Sequence, residues 1–394
     1  MNPIVCVAGV GMVPFTKPSL AAPYPELGAG AARAALADAG VDYGWIEQAY
    51  VGYVFGDSTC GQAALYRVGL SGLPVVNVTN NCATGSTALF LARQAVASGA
   101  VDCALALGFE QMKAGALGAQ FTDRPDPLAR FQDTMQALQG LEDKTPIAAQ
   151  YFGGAARWHV ERYGTRPDTF ARIAVKARSH AARNPLAVFR EPITLEEVMA
   201  SPMVFDPMTR LQCCPPTCGA AAAVVCSESF ARHHGLDTTV RIRAQAMTTD
   251  RADSFDGGDM RRLIGFEMSR SAAQQVYLEG GVGPEDVDVI ELHDCFTANE
   301  LLSYEALGLA DEGGGERLVL DGDNTYGGRW VVNPSGGLLS KGHPLGATGL
   351  AQCAELVWQL RGTAGDRQVP GARMALQHNL GLGGACVVTL YEAH

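Results

Sequence analysis

Residues 75–94 place the strongest constraint on the fold of this chain. A β-branched run ends in a polar Asn-Asn pair, Cys82 follows, and a stretch of small and apolar residues continues to Gln94. This pattern predicts a buried strand, a tight turn and a helix with a first turn of small side chains. We expect the helix start to favour a thiolate at Cys82, although a small core thiol is the alternative interpretation.

The second half of the chain repeats this order. Residues 331–333 again form a β-branched run ending in Asn, and His343 lies in a glycine-rich loop that leads into an Ala/Leu-rich helix over 350–360. The repeat indicates a diverged duplication of a whole domain. A pseudo-twofold core is then expected to bring the two helix starts together, and with them Cys82 and His343.

Strand-like runs alternate with helical ones, which predicts a layered α/β architecture. Strands are predicted over 4–12, 48–55, 103–109, 220–226, 240–247, 287–292, 330–333, 374–376 and 386–391, and a helix over 25–40 that stops at Gly40. Residues 378–384 are interpreted as a glycine-rich turn that offers backbone N–H groups.

Residues 113–208 have a different texture, because proline, arginine and aromatic residues increase there and strand-like runs disappear. We expect a mainly helical insertion, and three units follow: an N-terminal half (1–112 with 209–238), this loop domain (113–208) and a C-terminal half (239–394). The insertion also gathers basic side chains that as a group could meet a phosphate-bearing ligand: Arg157, Arg162, Arg166, Arg172, Lys176 and Arg178.

Composition narrows the functional class. The 394 residues are 47% apolar and carry a net charge of −11, which argues against a general nucleic-acid binder. The 11 cysteines are scattered, and the N-terminus reads as a strand and not as a signal segment. With no bilayer-length apolar run and no peroxisomal signal at the C-terminus, we expect a cytoplasmic protein with reduced thiols.

Three loops next to core strands or helix starts carry the chemistry. A cysteine nucleophile needs a base, and His343 could serve Cys82 in that role. Cys295 could carry a proton to and from carbon, while His293 could help to bind an oxyanion. A metal site is not expected, because the paired-cysteine spacing of zinc sites is absent.

The remaining cysteines and histidines have simpler interpretations. Core thiols are expected at Cys6, Cys103, Cys213, Cys214, Cys218 and Cys353. Surface positions are expected for His159, His180, His233, His234 and His394.

Four motifs in order, NCATGS, HDCF, NPSGGLLSKGHPLGATG and HNLGLGG, resemble the thiolase superfamily over the whole chain. Within it they are most similar to the thiolase domain of the sterol carrier protein x type. The resemblance implies the thiolase fold, in which two duplicated α/β halves form a five-layered αβαβα core with an inserted, mainly helical loop domain. It also implies a homodimer.

The resemblance assigns roles residue by residue. Cys82 matches the acyl-accepting nucleophile, His343 the histidine that activates it, and His293 with Cys295 the HDCF pair that supplies an oxyanion contact and the second thiol. Accessory or oxyanion positions are implied at His378, Leu380 and Gly381. Coenzyme A is implied as a co-substrate with acyl-CoA esters, without a permanently bound cofactor, and contacts are suspected in the loop domain and near Ser335 and Gly336.

The expected activity is thiolytic cleavage of 3-ketoacyl-CoA by ping-pong acyl transfer in fatty-acid, branched-chain or sterol side-chain degradation. Two alternatives stay open: a condensing enzyme related to ketosynthases, and a non-catalytic scaffold that binds acyl-CoA. Residues 125–150 match the family poorly, which leaves acyl-chain specificity open. No sterol carrier domain follows the thiolase-like part, so lipid transfer by this chain is not implied.

Overall fold

The apolar runs of the sequence form the strands of a mixed sheet. The computed structural model describes residues 3–115, 118 and 121–394, so the first two residues of the N-terminal stretch and positions 116, 117, 119 and 120 of the expected loop domain lie outside the described residues. The strands are β1 (Val5–Met12), β2 (Gln48–Gly52), β3 (Val75–Val78), β4 (Cys103–Glu110), β5 (Met203–Phe205), β6 (Met208–Thr209), β7 (Gly219–Ser227), β8 (Val240–Thr248), β9 (Val289–Glu291), β10 (Val331–Val332), β11 (Met374–Gly381) and β12 (Ala385–Ala393).

Many of the helices begin after proline or a polar cap and end at glycine. α1 follows Pro23 and stops at Gly40, which adopts the left-handed conformation (φ 66°) as expected. The helices are α1 (Tyr24–Ala39), α2 (Cys60–Leu65), α3 (Thr84–Ala97), α4 (Ala129–Gln139), α5 (Ile147–Tyr163), α6 (Pro167–Ala181), α7 (Leu195–Ala200), α8 (Glu228–His234), α9 (Met260–Leu263), α10 (Phe266–Gly280), α11 (Thr297–Ala306), α12 (Gly315–Asp321), α13 (Gly337–Ser340) and α14 (Thr348–Arg361).

The sheet shows the duplication directly. Its strands run in the order β10-β9-β11-β12-β8-β1-β7-β4-β2-β3. Numbered in chain order within each half, both halves have the order 3-2-4-5-1, and parallel and antiparallel pairs fall at the same places. The halves join where β1 pairs with β8, at Cys6 opposite Arg241. The predicted duplication therefore holds for the strand topology.

Two central helices lie between the halves. Side chains of α3 and α14 share one apolar cluster with the inward-facing residues of β4 and β7. The opposite faces of those strands pack against α1, and α10 covers β8 and β12 on the far side. The resulting layers are helix, sheet, helices, sheet and helix, which is the five-layered core expected from the sequence.

Backbone contact at glycines sets the distance between the halves. A side chain on Gly85 would put its Cβ 2.7 Å from the Gly346 carbonyl oxygen and 3.2 Å from the Gly349 nitrogen. A Cβ on Gly108 would overlap the same Gly346 carbonyl. The N-termini of α3 and α14 therefore touch through their backbones, which places the residues before each helix side by side.

The segment between β4 and β7 is mainly helical in its described part. It contains α4 to α7, and a short hairpin of β5 and β6 closes it. Of the described helices, none is both long enough and apolar enough to cross a membrane.

The structure corrects three expectations. The strand before Cys82, predicted to be buried, is β3 at the end of the sheet, and its Val76 is 43% exposed. Residues 378–381 continue β11, with Leu380 opposite Cys386 and Gly381 opposite Ala385, so the predicted glycine-rich turn is confined to 382–384. His159 and His180 are buried and not on the surface. His159 in α5 hydrogen-bonds Glu305 and Thr165, and His180 in α6 hydrogen-bonds the Asn333 carbonyl. Both histidines are buried because the C-terminal half covers α5 and α6.

Replacing Gly108 with alanine tests the contact between the halves. The new methyl group meets backbone and not a flexible side chain, so we expect Gly108→Ala to destabilise the fold by about 1–3 kcal/mol, as overpacking does. Gly30→Ala is the control, because Gly30 lies within α1 and its Cβ would meet a Val13 side-chain methyl group at 3.0 Å and not the backbone of the other half. Urea unfolding of both variants measures the difference, and equal stability of the two would contradict the contact.

Candidate active site

Cys82 occupies the turn between β3 and α3. Asn81 adopts a positive φ of 49°, and the Thr84 hydroxyl accepts a hydrogen bond from the Asn80 N–H and donates one to the Asn81 carbonyl. This local bonding turns the chain sharply, so that Cys82 sits two residues before the helix and is 7% exposed. The expected position at a helix start is confirmed.

His343 reaches Cys82 from the other half of the chain. The Cys82 sulfur and one ring nitrogen each of His293 and His343 all lie within 4.8 Å of one another. The two imidazole rings are nearly perpendicular, with centroids 5.1 Å apart. The structure thus brings together three of the four residues predicted to be catalytic, from three separate loops.

The hydrogen bonds of His343 define which nitrogen is the base. The Thr348 hydroxyl donates to the Pro344 carbonyl, so it can only accept at His343 Nδ1, 2.7 Å away. His343 therefore carries its proton on Nδ1. Its Nε2 is buried and has no hydrogen-bond partner among the described residues. An unpaired, unprotonated nitrogen beside a thiol is what a general base requires.

Burial decides the charge of this pair. It raises the pKa of Cys82 to about 12, the nearby Glu110 carboxylate adds to the shift, and the backbone N–H groups of Cys82 and Leu382 oppose it. Burial also lowers the pKa of His343 to about 3. Burial therefore opposes the thiolate that the helix start is expected to favour at Cys82. The resting pair is a neutral thiol and a neutral imidazole.

His293 is held from several sides. Its backbone N–H donates to His378 Nδ1 (3.4 Å), its carbonyl accepts from Asn299, and its ring Nδ1 lies 3.0 Å from Asn379 Nδ2. Burial first, then His343 and His378, lower its pKa well below the usual range. His293 is thus a neutral, oriented imidazole next to the sulfur.

His378 supports His293. Its Nδ1 accepts from His293, so its Nε2 carries the proton and donates to the Ser269 hydroxyl at 2.8 Å. With both ring nitrogens used, no N–H of this side chain is left for a substrate oxyanion. We therefore place His378 behind the site and not in it.

Cys295 lies two residues after His293 and is almost fully buried. Burial raises the pKa of its thiol well above the usual range, and Cys214 and Cys82 lie near enough to add to the shift. The Cys214 N–H donates to the Cys295 carbonyl at 2.9 Å. Cys214, interpreted from sequence as a plain core thiol, therefore borders the site, which its Cys-Cys-Pro-Pro context did not signal.

The strand end after His378 borders the nucleophile. A Cβ on Gly381 would overlap the Asn80 carbonyl and lie 3.1 Å from the Ala83 nitrogen, so only glycine fits there. The Leu380 side chain is turned away, towards Gly265. In this segment, the Leu382 backbone N–H lowers the pKa of the Cys82 thiol. The sequence had pointed to Leu380 or Gly381, one position earlier.

The suspected coenzyme A contacts fall in a packed region. Ser335 is buried, and its hydroxyl donates to Glu291 at 2.8 Å. A Cβ on Gly336 would lie 2.5 Å from the Ala181 side chain of α6. The Ser335 hydroxyl is thus already used inside the fold, and a cofactor contact at these two residues remains a prediction.

The basic residues of the insertion are largely paired with acids. Lys176 is buried against Glu300, Arg172 bonds Asp168 at 3.2 Å, and Arg166 lies 3.5 Å from Glu316. These partners use much of the positive charge, so this group offers less to a phosphate than its sequence suggested.

Glu110 ties the histidine loop to the N-terminal half. Its carboxylate accepts backbone hydrogen bonds from Val54, Phe55 and Gly346 at 2.9–3.1 Å, and burial raises its pKa to about 7. The residue ends β4 and was not singled out from the sequence, because a lone glutamate after an apolar strand gives no signal of its own.

One sulfur and two imidazole nitrogens are also a donor set that zinc accepts. The geometry of Cys82, His293 and His343 would permit it. The expectation that no metal is bound stays a prediction.

Comparison with known proteins identifies the family. The family descriptions "Thiolase, N-terminal domain" and "Thiolase C-terminal domain-like" match residues 5–229 and 251–390. The chain belongs to the thiolase family. It is thus an acyltransferase by family, and its similarity to "Sterol carrier protein 2" of Oryctolagus cuniculus confirms the predicted branch: 56% identity over 99% of this chain and 72% of that protein.

Solved structures confirm the thiolase fold. A chain of the "Ltp2-ChsH2(DUF35) aldolase" has a TM-score of 0.84 at 26% identity, covering 100% of this chain and 99% of the other. Human mitochondrial 3-ketoacyl-CoA thiolase in complex with CoA has a TM-score of 0.75 at 17% identity, covering 100% and 98%. The second likeness concerns the fold alone.

The neutral state of Cys82 can be tested by alkylation. Because the thiol has a raised pKa, its thiolate fraction and its rate with iodoacetamide should rise about tenfold for each pH unit between about pH 7 and 9. Mass spectrometry of the Cys82 peptide follows the reaction, with Cys82→Ser as the blank. A rate that is already flat near pH 7 would reveal a preformed thiolate and contradict the neutral pair.

Proposed function

We propose that this protein is a 3-ketoacyl-CoA thiolase that transfers acyl groups through Cys82. The single observation that carries the proposal is the approach of a His343 ring nitrogen to the Cys82 sulfur in a thiolase-family fold, with His343 Nε2 left without a partner among the described residues. We keep the division into an N-terminal half (1–112 with 209–238), a loop domain (113–208) and a C-terminal half (239–394) as part of this proposal.

In the first half-reaction, Cys82 gives its proton to His343 Nε2 as the sulfur attacks the 3-keto carbon. The bond between C2 and C3 then breaks, and its electron pair leaves as the enolate of acetyl-CoA or propionyl-CoA. The His293 ring stabilises the enolate oxygen, and the Cys295 thiol supplies the proton to C2. The enzyme now holds an acyl thioester on Cys82 and a thiolate on Cys295.

The second half-reaction returns both protons to their places. The thiol of a new CoA gives its proton to the Cys295 thiolate and attacks the acyl carbon. The oxygen charge that develops is stabilised by backbone N–H groups, for which those of Cys82 and Leu382 are the nearest candidates. Collapse releases the shortened acyl-CoA, and the Cys82 sulfur takes back the proton from His343.

The pKa shifts explain why the thiolate forms only on demand. The raised pKa of Cys82 and the lowered pKa of His343 keep both groups neutral. This lasts until a bound substrate supplies hydrogen bonds and a carbon to attack. A buried neutral thiol is also protected from oxidation between turnovers.

We propose coenzyme A as a co-substrate and no permanently bound cofactor. The likeness of fold to a thiolase solved with CoA supports this, as does a helical insertion that could receive the pantetheine. A homodimer is supported by β3, which ends the sheet with Val76 43% exposed and could pair with a second copy. A cytoplasmic location stays a prediction from sequence.

Removing the two thiols should separate their roles. Cys82→Ala should abolish thiolysis of a panel of 3-ketoacyl-CoAs, including 2-methyl-branched and sterol side-chain substrates, because no sulfur can carry the acyl group. Wild-type turnover by this variant would refute the proposal. Identifying the products of the panel assigns chain length and branching.

Cys295→Ala should retain some acyl transfer to Cys82 while exchange of the acetyl-CoA C2 protons with deuterated water falls on the order of 10²-fold or more. Mass spectrometry measures the exchange. Cys213→Ala serves as the control thiol, because the Cys213 sulfur donates to the Thr209 carbonyl and is not among the groups that shift the pKa of Cys295. Unchanged exchange in Cys295→Ala would reject Cys295 as the acid.

A condensing enzyme is the second candidate, because one cysteine and two histidines also describe ketosynthases. Turnover of malonyl-CoA with release of carbon dioxide would support it, whereas Cys295 beside the site favours thiolysis. The structural similarity to an aldolase adds a further discriminating assay: retro-aldol cleavage yields a carbonyl product without added CoA, and thiolysis requires it. A non-catalytic scaffold would show neither activity.

A further inference from the structure

We propose that Asn379 is a positioning residue that fixes the tautomer of His293, so that His293 always presents an Nε2–H donor to the reacting oxygen. The catalytic role of that donor rests on the function proposed above. The hydrogen bonds that carry it are independent of any reaction.

The direction of each bond can be worked out along a buried chain from β12 to His293. Gln377 Nε2 lies 2.6 Å from the Gly349 carbonyl, which can only accept, so this amide has a defined orientation. The same nitrogen donates to the Ser86 hydroxyl at 2.8 Å, and the Tyr391 hydroxyl donates to Gln377 Oε1 at 2.5 Å. Both ends of the Gln377 amide are therefore assigned.

Ser86 links the Gln377 amide to the Asn379 amide. Since its oxygen accepts from Gln377, its one proton is free to point to Asn379 Oδ1, 2.8 Å away. That bond makes the other end of the Asn379 amide the NH₂ group. Asn379 Nδ2 lies 3.0 Å from His293 Nδ1 and can only donate to it. His293 Nδ1 is thus an acceptor, and the neutral ring must carry its proton on Nε2.

The packing around these hydrogen-bonded side chains prevents the direction of the hydrogen bonds from reversing. Ser86, Gln377, Asn379 and Tyr391 are all buried. A Cβ on Gly349 would overlap Ser86 Oγ and come within 2.7 Å of Asn379 Oδ1, so glycine is required for the relay to pass between α3 and α14. Reversing the Asn379 amide would take away the oxygen that accepts the Ser86 proton, at a cost for a buried polar group.

The consequence is a division of labour between two neutral histidines. Thr348 holds His343 with Nδ1 protonated and Nε2 open as a base, whereas Asn379 holds His293 with the opposite tautomer as a donor. Two rings 5.1 Å apart could otherwise exchange roles. The relay keeps one of them from competing for the Cys82 proton.

Asn379→Asp tests the assignment. A carboxylate can only accept, so it forces a proton onto His293 Nδ1 and raises the pKa of the ring. Below that raised pKa the imidazolium keeps its Nε2–H, and above it the neutral ring loses the donor. We expect thiolysis by this variant to fall on the order of 10²-fold in kcat as pH rises, a limb absent from the wild type.

Asn379→Leu and Gln245→Glu are the comparison variants. The leucine variant removes the bond without a new charge, and its kcat should be reduced at every pH with no new limb. Gln245→Glu makes the same amide-to-carboxylate change at a buried position that bonds Thr389, and its pH profile should match the wild type. A plain loss of stability in Asn379→Asp would lower activity without creating a pH limb, and that outcome would overturn the proposal.

Nitrogen-15 NMR of histidine-labelled protein gives a readout that does not depend on activity. The His293 signals, assigned with His293→Gln, should show Nε2 protonated in the wild type and in Gln245→Glu, and Nδ1 protonated in Asn379→Asp. A wild-type ring with Nδ1 protonated would overturn the proposal. Absence of thiolysis by the wild type would refute the proposed function and leave the tautomer result standing.

Discussion

The contact on which the active site depends is the backbone approach of the two central helices. Gly85 at the start of α3 and Gly349 at the start of α14 lie so close that neither position has room for a side chain. Cys82 precedes one helix and His343 the other, so this contact determines the distance between thiol and base. The small residues after Cys82 are therefore explained first by packing between the halves, and only then by access to the sulfur.

The duplication explains both the symmetry of the frame and the asymmetry of the chemistry. Both halves use the same strand order, so the loop before the central helix recurs at a related place. Divergence has put a thiol in one loop and an imidazole in the other, so the pair proposed to act as nucleophile and base needs both halves. A site built across the junction is assembled only when both halves are folded and docked.

Sequence reasoning found the parts of the site that lie in motifs and missed those defined by contact. The strands, the duplication and the convergence of Cys82, His293 and His343 follow from periodicity and family resemblance. The extension of β11 through His378 was missed because Asn379 and Gly381 resemble turn residues, whereas their pairing with β12 satisfies the backbone.

The burial of His159 and His180 is not visible in the sequence, because helical periodicity cannot show which element covers a helix. Burial of Cys82 is hidden for a related reason: a helix start is visible in sequence, but the burial that raises the pKa of the thiol is not.

Full burial also shapes how the site can hold polar groups. Where side chains are buried, each hydroxyl and amide must direct its donor and acceptor to particular neighbours. The buried network from Tyr391 to His293 and the pair of Thr348 with His343 are two such commitments, and they leave the two imidazoles in opposite protonation patterns without any charge. Neutral groups of this kind cost less to bury than an ion pair. In the proposed reaction they need little reorganisation when charge develops on the substrate oxygen, because one ring nitrogen of each imidazole already lies near the sulfur. The low dielectric that suppresses the thiolate at rest therefore strengthens the contacts that stabilise charge during the reaction.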